Sequence, residues 1–314
     1  MIIYLAAMYV TVSVHSTSRN YSLHDRQYVF DREIRNWLTC DLLSLSLNTA
    51  RDPFHQQFTR HMKTFRACIL RYNNIQTFGK LLLRQQSPKS VRACLETIIN
   101  VCKTTPALVM KFIRLQMETV LEYLPHFPNM KVIHLIRDPR GMFNSRSKLG
   151  LANIKHGEAD EIGKLNKDEV RRFCDLLHKD LSVSKFIQQH APDRIRVIQY
   201  EDLAENPKEV ATQLLAFTGL GLTPRMENFI KHMTSSSRDS CAFCTQRKNS
   251  AKTARKWRTE MKLNDAFYIY NTCEQSMNIL GYLPLSTSFD MKNLMSPSTA
   301  KHNLTYNLIN DNHF

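Results

Sequence analysis

The chain has 314 residues, of which 43% are hydrophobic and 23% charged, proportions that allow a large buried core and exclude a chain disordered throughout. Lys plus Arg number 43 against 28 Asp plus Glu, a formal net charge of +15, which favours anionic partners. The basic residues are spread along the chain without a helix-turn-helix, zinc-finger or RRM signature, so a nucleic-acid reader is set behind a protein that binds small anions or acidic glycans.

The N-terminus is apolar from Ile2 to Val14, shorter than the ~20 residues of a membrane-spanning helix. A signal-anchor, a buried strand over Tyr9 to Val14 and an arbitrary start to the reading frame all remain open. Residues 28–47 carry apolar side chains at helical intervals and include Cys40. Residues 51–88 are polar and basic with scattered aromatics and give only unplaced helices and loops. The pattern then predicts an amphipathic helix over 90–102, a strand over 108–115, a helix over 116–124 and a strand over 132–136. Strand, helix and strand make a βαβ unit with a right-handed crossover. Residues 149–165 read as a polar loop of the kind that closes over an acceptor. A long amphipathic helix follows over 166–190, a third strand over 194–200, a helix from Asn206-Pro207 to Phe217, and a final helix over 263–280. Residues 1–20 are thus a short apolar segment, 21–285 the folded domain and 286–314, rich in Ser, Asn and His, a flexible tail.

The stretch that organises the rest is Lys131 to Arg146. Val132 to Ile136 is an apolar, β-branched run, the pattern of a strand buried on both faces of a parallel sheet. It ends at Arg137. Asp138 offers a side-chain oxygen to free backbone N–H groups, and Pro139 stands where a first helical residue needs no N–H of its own, so a helix starts there. In open α/β folds this carboxyl edge is where ligands bind. Arg137 brings a permanently charged fork to the strand end, and Ser145 lies about two helical turns further on. Together they suit one phosphate.

Leu135-Ile-Arg-Asp-Pro-Arg-Gly-Met-Phe-Asn-Ser-Arg146 resembles the 3′-phosphate motif of the carbohydrate 6-O-sulfotransferases, Golgi enzymes that sulfate galactose, N-acetylglucosamine or N-acetylgalactosamine. The resemblance implies a three-layer α/β sulfotransferase fold, related to P-loop NTPases, with a mainly parallel sheet. It also implies that Arg137 and Ser145 bind the 3′-phosphate of 3′-phosphoadenosine-5′-phosphosulfate, with no metal. Cys40-Asp-Leu-Leu43, Cys94 to Arg114, Tyr200-Glu-Asp-Leu203 and Gly281-Tyr-Leu-Pro284 resemble the same family. In Tyr200-Glu-Asp-Leu203 the acids Glu201 and Asp202 read as braces of a turn. The family has a Trp-Arg near the basic run 250–258, close to the donor's nucleotide, which makes Lys256, Trp257 and Arg258 secondary candidates beside the alternative of a solvated basic face. The implied reaction moves a sulfonate to a sugar 6-hydroxyl, of N-acetylglucosamine or galactose, in a glycan or proteoglycan, in the Golgi lumen at the membrane.

The family's Gly/Ser/Thr-rich phosphosulfate loop, which uses backbone N–H groups and a helix N-terminus, has no match here. The first glycine is Gly79, and the nearest candidate, His15-Ser-Thr-Ser-Arg-Asn20, lacks glycine. The acidic motif that follows the loop is also unmatched, so the fold is expected to be N-terminally incomplete and no catalytic base is identified; an inactive nucleotide- or glycan-binding paralogue or fragment is the alternative. His61, His134 and His156 read as structural or surface residues. Eight cysteines, Cys40, Cys68, Cys94, Cys102, Cys174, Cys241, Cys244 and Cys273, suit disulfides in an oxidising lumen. Cys241-Ala-Phe-Cys244 has no second pair to complete a zinc site. The sequons Asn20-Tyr-Ser22 and Asn303-Leu-Thr305 fit a secretory protein.

Overall fold

The computed structural model describes residues 2–6, 23–51, 62–76, 86–112, 115–148, 164–239, 245–294, 298–300 and 308. The chain divides into two compact units, one built on residues 9–110 and the other on residues 3–8 and 111–314. The candidate loop 15–20, most of loop 149–165, both sequons, His61, His156 and the Cys241/Cys244 pair lie outside the described residues.

The first unit is helical. Helix α1 (Leu23–Leu38), a 3-10 turn (Leu42–Ser44), α2 (Leu47–Arg51), α3 (Met62–Tyr72) and α4 (Pro88–Thr104) follow in order. Helix α4 starts where Ser87 Oγ accepts the Ser90 N–H at 3.1 Å and Pro88 occupies the first turn, the two start signals that need least from the rest of the fold. Phe65, Ile69, Val91, Leu95 and Ile98 form its core with Leu42. Disulfides Cys68–Cys94 and Cys40–Cys102 join α4 to α3 and to the second residue after α1. Cys40 has φ of 57°, a left-handed conformation that a side chain with a Cβ adopts only when its surroundings hold it; here it ends α1, with the Asp41 N–H bonded back to the Asn36 carbonyl at 2.9 Å.

The sheet is ordered β2-β1-β3-β4, with β1 at Ile2–Ala6, β2 at Leu108–Phe112, β3 at Met130–Ile136 and β4 at Ile195–Gln199. The Tyr9 to Val14 run lies outside the described residues, and the first strand is formed by Ile2–Ala6. It sits between the two strands of the βαβ unit, whose helix α5 is Met117–Tyr123. Strands β3 and β4 pair in parallel from Val132 opposite Ile195 to Ile136 opposite Gln199. Val132, Ile133 and Ile136 are buried, as a strand covered on both faces requires.

Helix α6 (Pro139–Lys148) follows β3, and α7 (Lys167–His190) begins where Asn166 Oδ1 accepts the N–H groups of Asp168 and Glu169, both at 3.1 Å. After β4 come α8 (Tyr200–Glu205), α9 (Pro207–Phe217) and α10 (Pro224–Thr234). Then follow α11 (Ser250–Ala254), α12 (Trp257–Glu260), α13 (Leu263–Thr272) and α14 (Glu274–Ile279). The single helix expected over 263–280 is interrupted at Cys273, which is disulfide-bonded to Cys174 of α7. Gly281 ends α14 with φ of 70°, and the Tyr282 N–H returns to the Met277 carbonyl at 2.9 Å. This glycine-dependent stop sends Tyr282 towards β4.

The expectation of a flexible tail beyond residue 286 is corrected over the residues described there. Helix α15 (Ser288–Lys292) buries Met291, and Tyr282 bridges Thr299 in antiparallel fashion. Leu308 is buried, its N–H bonded to Gln188 Oε1 at 2.9 Å. A polar composition hid these isolated apolar anchors. Among the described residues no helix is long and apolar enough to cross a membrane.

Candidate anion-binding site at the end of β3

The strand-to-helix turn after Ile136 is built by Asp138. Its Oδ1 accepts the Arg140 N–H at 2.9 Å, capping α6 as its sequence position predicts. The same carboxylate takes the Arg140 side chain, Nε to Oδ1 at 3.0 Å and Nη2 to Oδ2 at 2.9 Å. Arg140 is 1% exposed; its Nη1 donates to the Leu283 carbonyl at 2.9 Å, and its guanidinium lies 4.3 Å from the Trp257 ring centroid. Of the arginines at this turn, Arg140 is therefore turned inward and satisfied. A buried Arg–Asp pair with such geometry fixes a conformation more than it adds net stability.

Arg137 is placed differently. Its guanidinium lies 4.7 Å from the centre of the Tyr200 ring, the first residue of α8, an arrangement in which a cation gains from the ring's negative face. Its Nε is buried and has no hydrogen-bond partner among the described residues. A Cβ added to Gly141 would sit 3.4 Å from that Nε and 3.1 Å from Trp257 Cδ1. Gly141 thus admits the arginine against the first turn of α6, where the helix dipole also favours an anion.

The remaining sequence candidates separate. Ser145 is half-buried on α6. Trp257 is buried, with its Cδ1 and the Arg137 Nε both within 4 Å of where a Gly141 Cβ would stand. Lys256 is exposed and pairs with Glu260 at 3.4 Å. Glu260 also receives Asn144 Nδ2 at 2.8 Å and Lys148 Nζ at 2.6 Å, joining α12 to the helix that carries Ser145. Burial alone would raise the Glu260 pKa, but the Lys148 and Asn144 hydrogen bonds outweigh it and hold the carboxyl below its usual range. Arg258 does not face a ligand: it is fully buried, with Nε donating to the Met291 carbonyl at 2.9 Å and Nη2 to those of Asp290 and Asn293 at 2.7 and 2.8 Å. The basic run reads as one surface in sequence, whereas the short helix α12 turns Lys256 out and Trp257 and Arg258 in.

Glu201, read from sequence as a brace, has both oxygens engaged. Oε1 accepts the Asp138 N–H at 3.1 Å and Oε2 accepts the Tyr282 O–H at 2.8 Å. Burial and then the Asp138 charge push its pKa up to about 7, against the opposing pull of Tyr282 and Arg137. His134, on β3, is buried with Nδ1 2.8 Å from Ser184 Oγ, and burial lowers its pKa to about 4, so it is neutral at pH 7. Among the described residues no three His, Cys, Asp or Glu side chains form a metal-binding cluster.

In this α/β protein a buried strand thus ends beside a helix N-terminus at an arginine whose Nε has no hydrogen-bond partner among the described residues. The sequence model described as the sulfotransferase family matches residues 48–224, more than half of the chain. The chain belongs to the sulfotransferase family, and its curated relatives are carbohydrate sulfotransferases. Carbohydrate sulfotransferase 3 of Mus musculus is 30% identical over 191 residues, 58% of this chain and 40% of that protein. Carbohydrate sulfotransferase 5 of the same organism is 29% identical over 213 residues, covering 62% and 52%. Carbohydrate sulfotransferase 1 of Homo sapiens is 27% identical over 216 residues, covering 65% and 52%. The chain thus spans about half the length of the curated relatives it matches. Among solved structures, the sulfotransferase domain from the curacin biosynthetic pathway is similar at 16% identity and a TM-score of 0.42, over 87% of this chain and 96% of that one.

Proposed function

We propose that the protein transfers a sulfonate group from 3′-phosphoadenosine-5′-phosphosulfate to the 6-hydroxyl of a sugar, N-acetylglucosamine or galactose, in a glycan or proteoglycan. The observation that carries this reading is the buried, unpartnered Nε of Arg137 against Gly141 at the N-terminus of α6. A dianionic phosphate supplies the acceptors this arginine lacks, so the donor's 3′-phosphate fits the residues present. Arg137 and Ser145 hold that phosphate, Trp257 keeps the arginine in place and Lys256 stands on the exposed side of α12. The family relationship supports sulfonate transfer, and the names of the relatives support a carbohydrate acceptor. Three disulfides, Cys40–Cys102, Cys68–Cys94 and Cys174–Cys273, support an oxidising compartment, for which we propose the Golgi lumen at the membrane.

Calorimetric titration with 3′-phosphoadenosine-5′-phosphate and with adenosine 5′-phosphate tests the site. Each charge-assisted hydrogen bond contributes about 1.5–3 kcal/mol, so the 3′-phosphate is expected to raise affinity at least tenfold in the wild type. Arg137→Ala with Ser145→Ala should erase that advantage. Equal affinity for the two nucleotides in the wild type would overturn the assignment, and turnover of the sulfated donor with a sugar acceptor is the companion measurement for transfer.

A further inference from the structure

Glu201 is buried behind the turn that carries Arg137. Its Oε1 fixes the Asp138 N–H, the backbone next to Arg137, and its Oε2 holds Tyr282, the first residue past the Gly281 turn. The charged and titratable groups facing it are Asp138 and Arg137 at the start of α6, Arg140 on the far side of Asp138, and Tyr282. With Glu201 ionised, these two carboxylates and two guanidiniums sum to zero. A phosphate dianion placed on Arg137 leaves the cluster with an excess of negative charge in a poorly solvated setting.

We propose that Glu201 is a positioning residue of the anion site and takes up one proton from solvent as a phosphate binds at Arg137. The inference rests on the reading of this turn as a phosphate site. The proton adds to Glu201 Oε2, so that the bond to Tyr282 continues with Oε2 as donor and the phenol oxygen as acceptor, while Oε1 goes on accepting from Asp138. Its pKa of about 7 is raised by burial first and Asp138 second, and Arg137 is among the groups opposing that rise. Phosphate bound at Arg137 cancels the opposing charge and lifts the carboxyl further. The bound state then holds more protons than the free state near neutral pH, so affinity is highest below pH 7 and falls as pH rises through it. A rise of one pKa unit on binding corresponds to an affinity about tenfold lower at high pH than at low pH.

The test is calorimetric binding of 3′-phosphoadenosine-5′-phosphate near pH 7 in two buffers of different ionisation enthalpy, which reads protons taken up per nucleotide bound. Wild type and Glu201→Gln share whatever protons the ligand's own phosphates exchange, so their difference isolates Glu201. Glu201→Gln should bind as tightly as wild type at pH 6 but lose the extra uptake and the fall in affinity at higher pH. Tyr282→Phe removes a hydrogen bond that favours the ionised carboxylate, so the midpoint of affinity against pH should move upward, an outcome available even if the Gln variant does not fold. Equal proton uptake in wild type and Glu201→Gln, or an unmoved midpoint in Tyr282→Phe, overturns the proposal while leaving a 3′-phosphate site intact. Binding that ignores the 3′-phosphate overturns the site itself and this inference with it.

Discussion

At the scale of single residues the site depends on one missing side chain. A Cβ on Gly141 would approach Trp257 Cδ1 to 3.1 Å and Arg137 Nε to 3.4 Å, and the buried indole has less freedom to give way than the arginine. Gly141→Ala should therefore displace Arg137 from its place over Tyr200 and weaken binding of 3′-phosphoadenosine-5′-phosphate about tenfold. Alanine in a helix is favoured over glycine by up to ~1 kcal/mol, which the 3.1 Å contact with Trp257 opposes, so the melting temperature should change little while affinity falls. Titration and thermal unfolding of the same variant separate this from simple misfolding, since a parallel loss of both would refute it. The sequence motif places Arg137, Asp138 and Ser145 through local rules of strand end and helix cap. It does not show that Arg140 turns inward, because that choice is made by the Leu283 carbonyl and the Trp257 ring, both more than a hundred residues away in the chain.

Among the elements, those with strong local signals were legible. The turn from β3 to α6 falls at Asp138-Pro139 as predicted, and α7 starts at its Asn166 cap. The docked segment after residue 286 was not, because its anchors are single residues spaced among polar ones. Arg258 is the main tie: three backbone carbonyls of residues 290–293 converge on its Nε and Nη2. Arg258→Leu keeps the apolar contacts of the stem but leaves those carbonyls without their donor, which costs about 1–3 kcal/mol for each buried group left unpaired. Hydrogen exchange should then show the Met291 and Asn293 amides, bonded to the Thr287 and Phe289 carbonyls in the wild type, losing protection ahead of the sheet. Unchanged protection at α15 would mean that Met291 packing alone holds the segment. Nucleotide affinity is expected to change little, since this arginine belongs to the brace of α12 and not to the phosphate contacts.

Over the whole molecule, acid stability is set by buried groups that pull in opposite directions. Glu201 is raised from 4.5 to about 7, and Asp180 from 3.8 to about 6, the latter by burial first, against the Met117 N–H bond, with Glu118 adding to the rise. Each favours the folded state fully below its unfolded pKa, and that contribution is lost as pH rises through the folded one. His134 does the reverse: lowered from 6.5 to about 4 by burial, it contributes above pH 6.5, and the contribution is lost as pH falls through 4. Between about pH 4.5 and 6 the two acids outweigh the one imidazole, so these groups together should cost the wild type roughly 1.4 kcal/mol of stability per pH unit as pH rises. A variant without the imidazole removes its opposing share and isolates it. His134→Gln keeps an amide able to bond Ser184, so the stability advantage of wild type over this variant should shrink by about 1.4 kcal/mol per pH unit between pH 6.5 and 4 and stay constant above 7. Urea unfolding midpoints of the pair at several pH values read this difference directly, and curves that run parallel would show that the fold leaves the imidazole with the pKa it has in the unfolded chain. Because β3 carries His134 and ends at Ile136, immediately before Arg137, the same burial that keeps this imidazole neutral makes the strand a fixed support for the arginine proposed to bind phosphate.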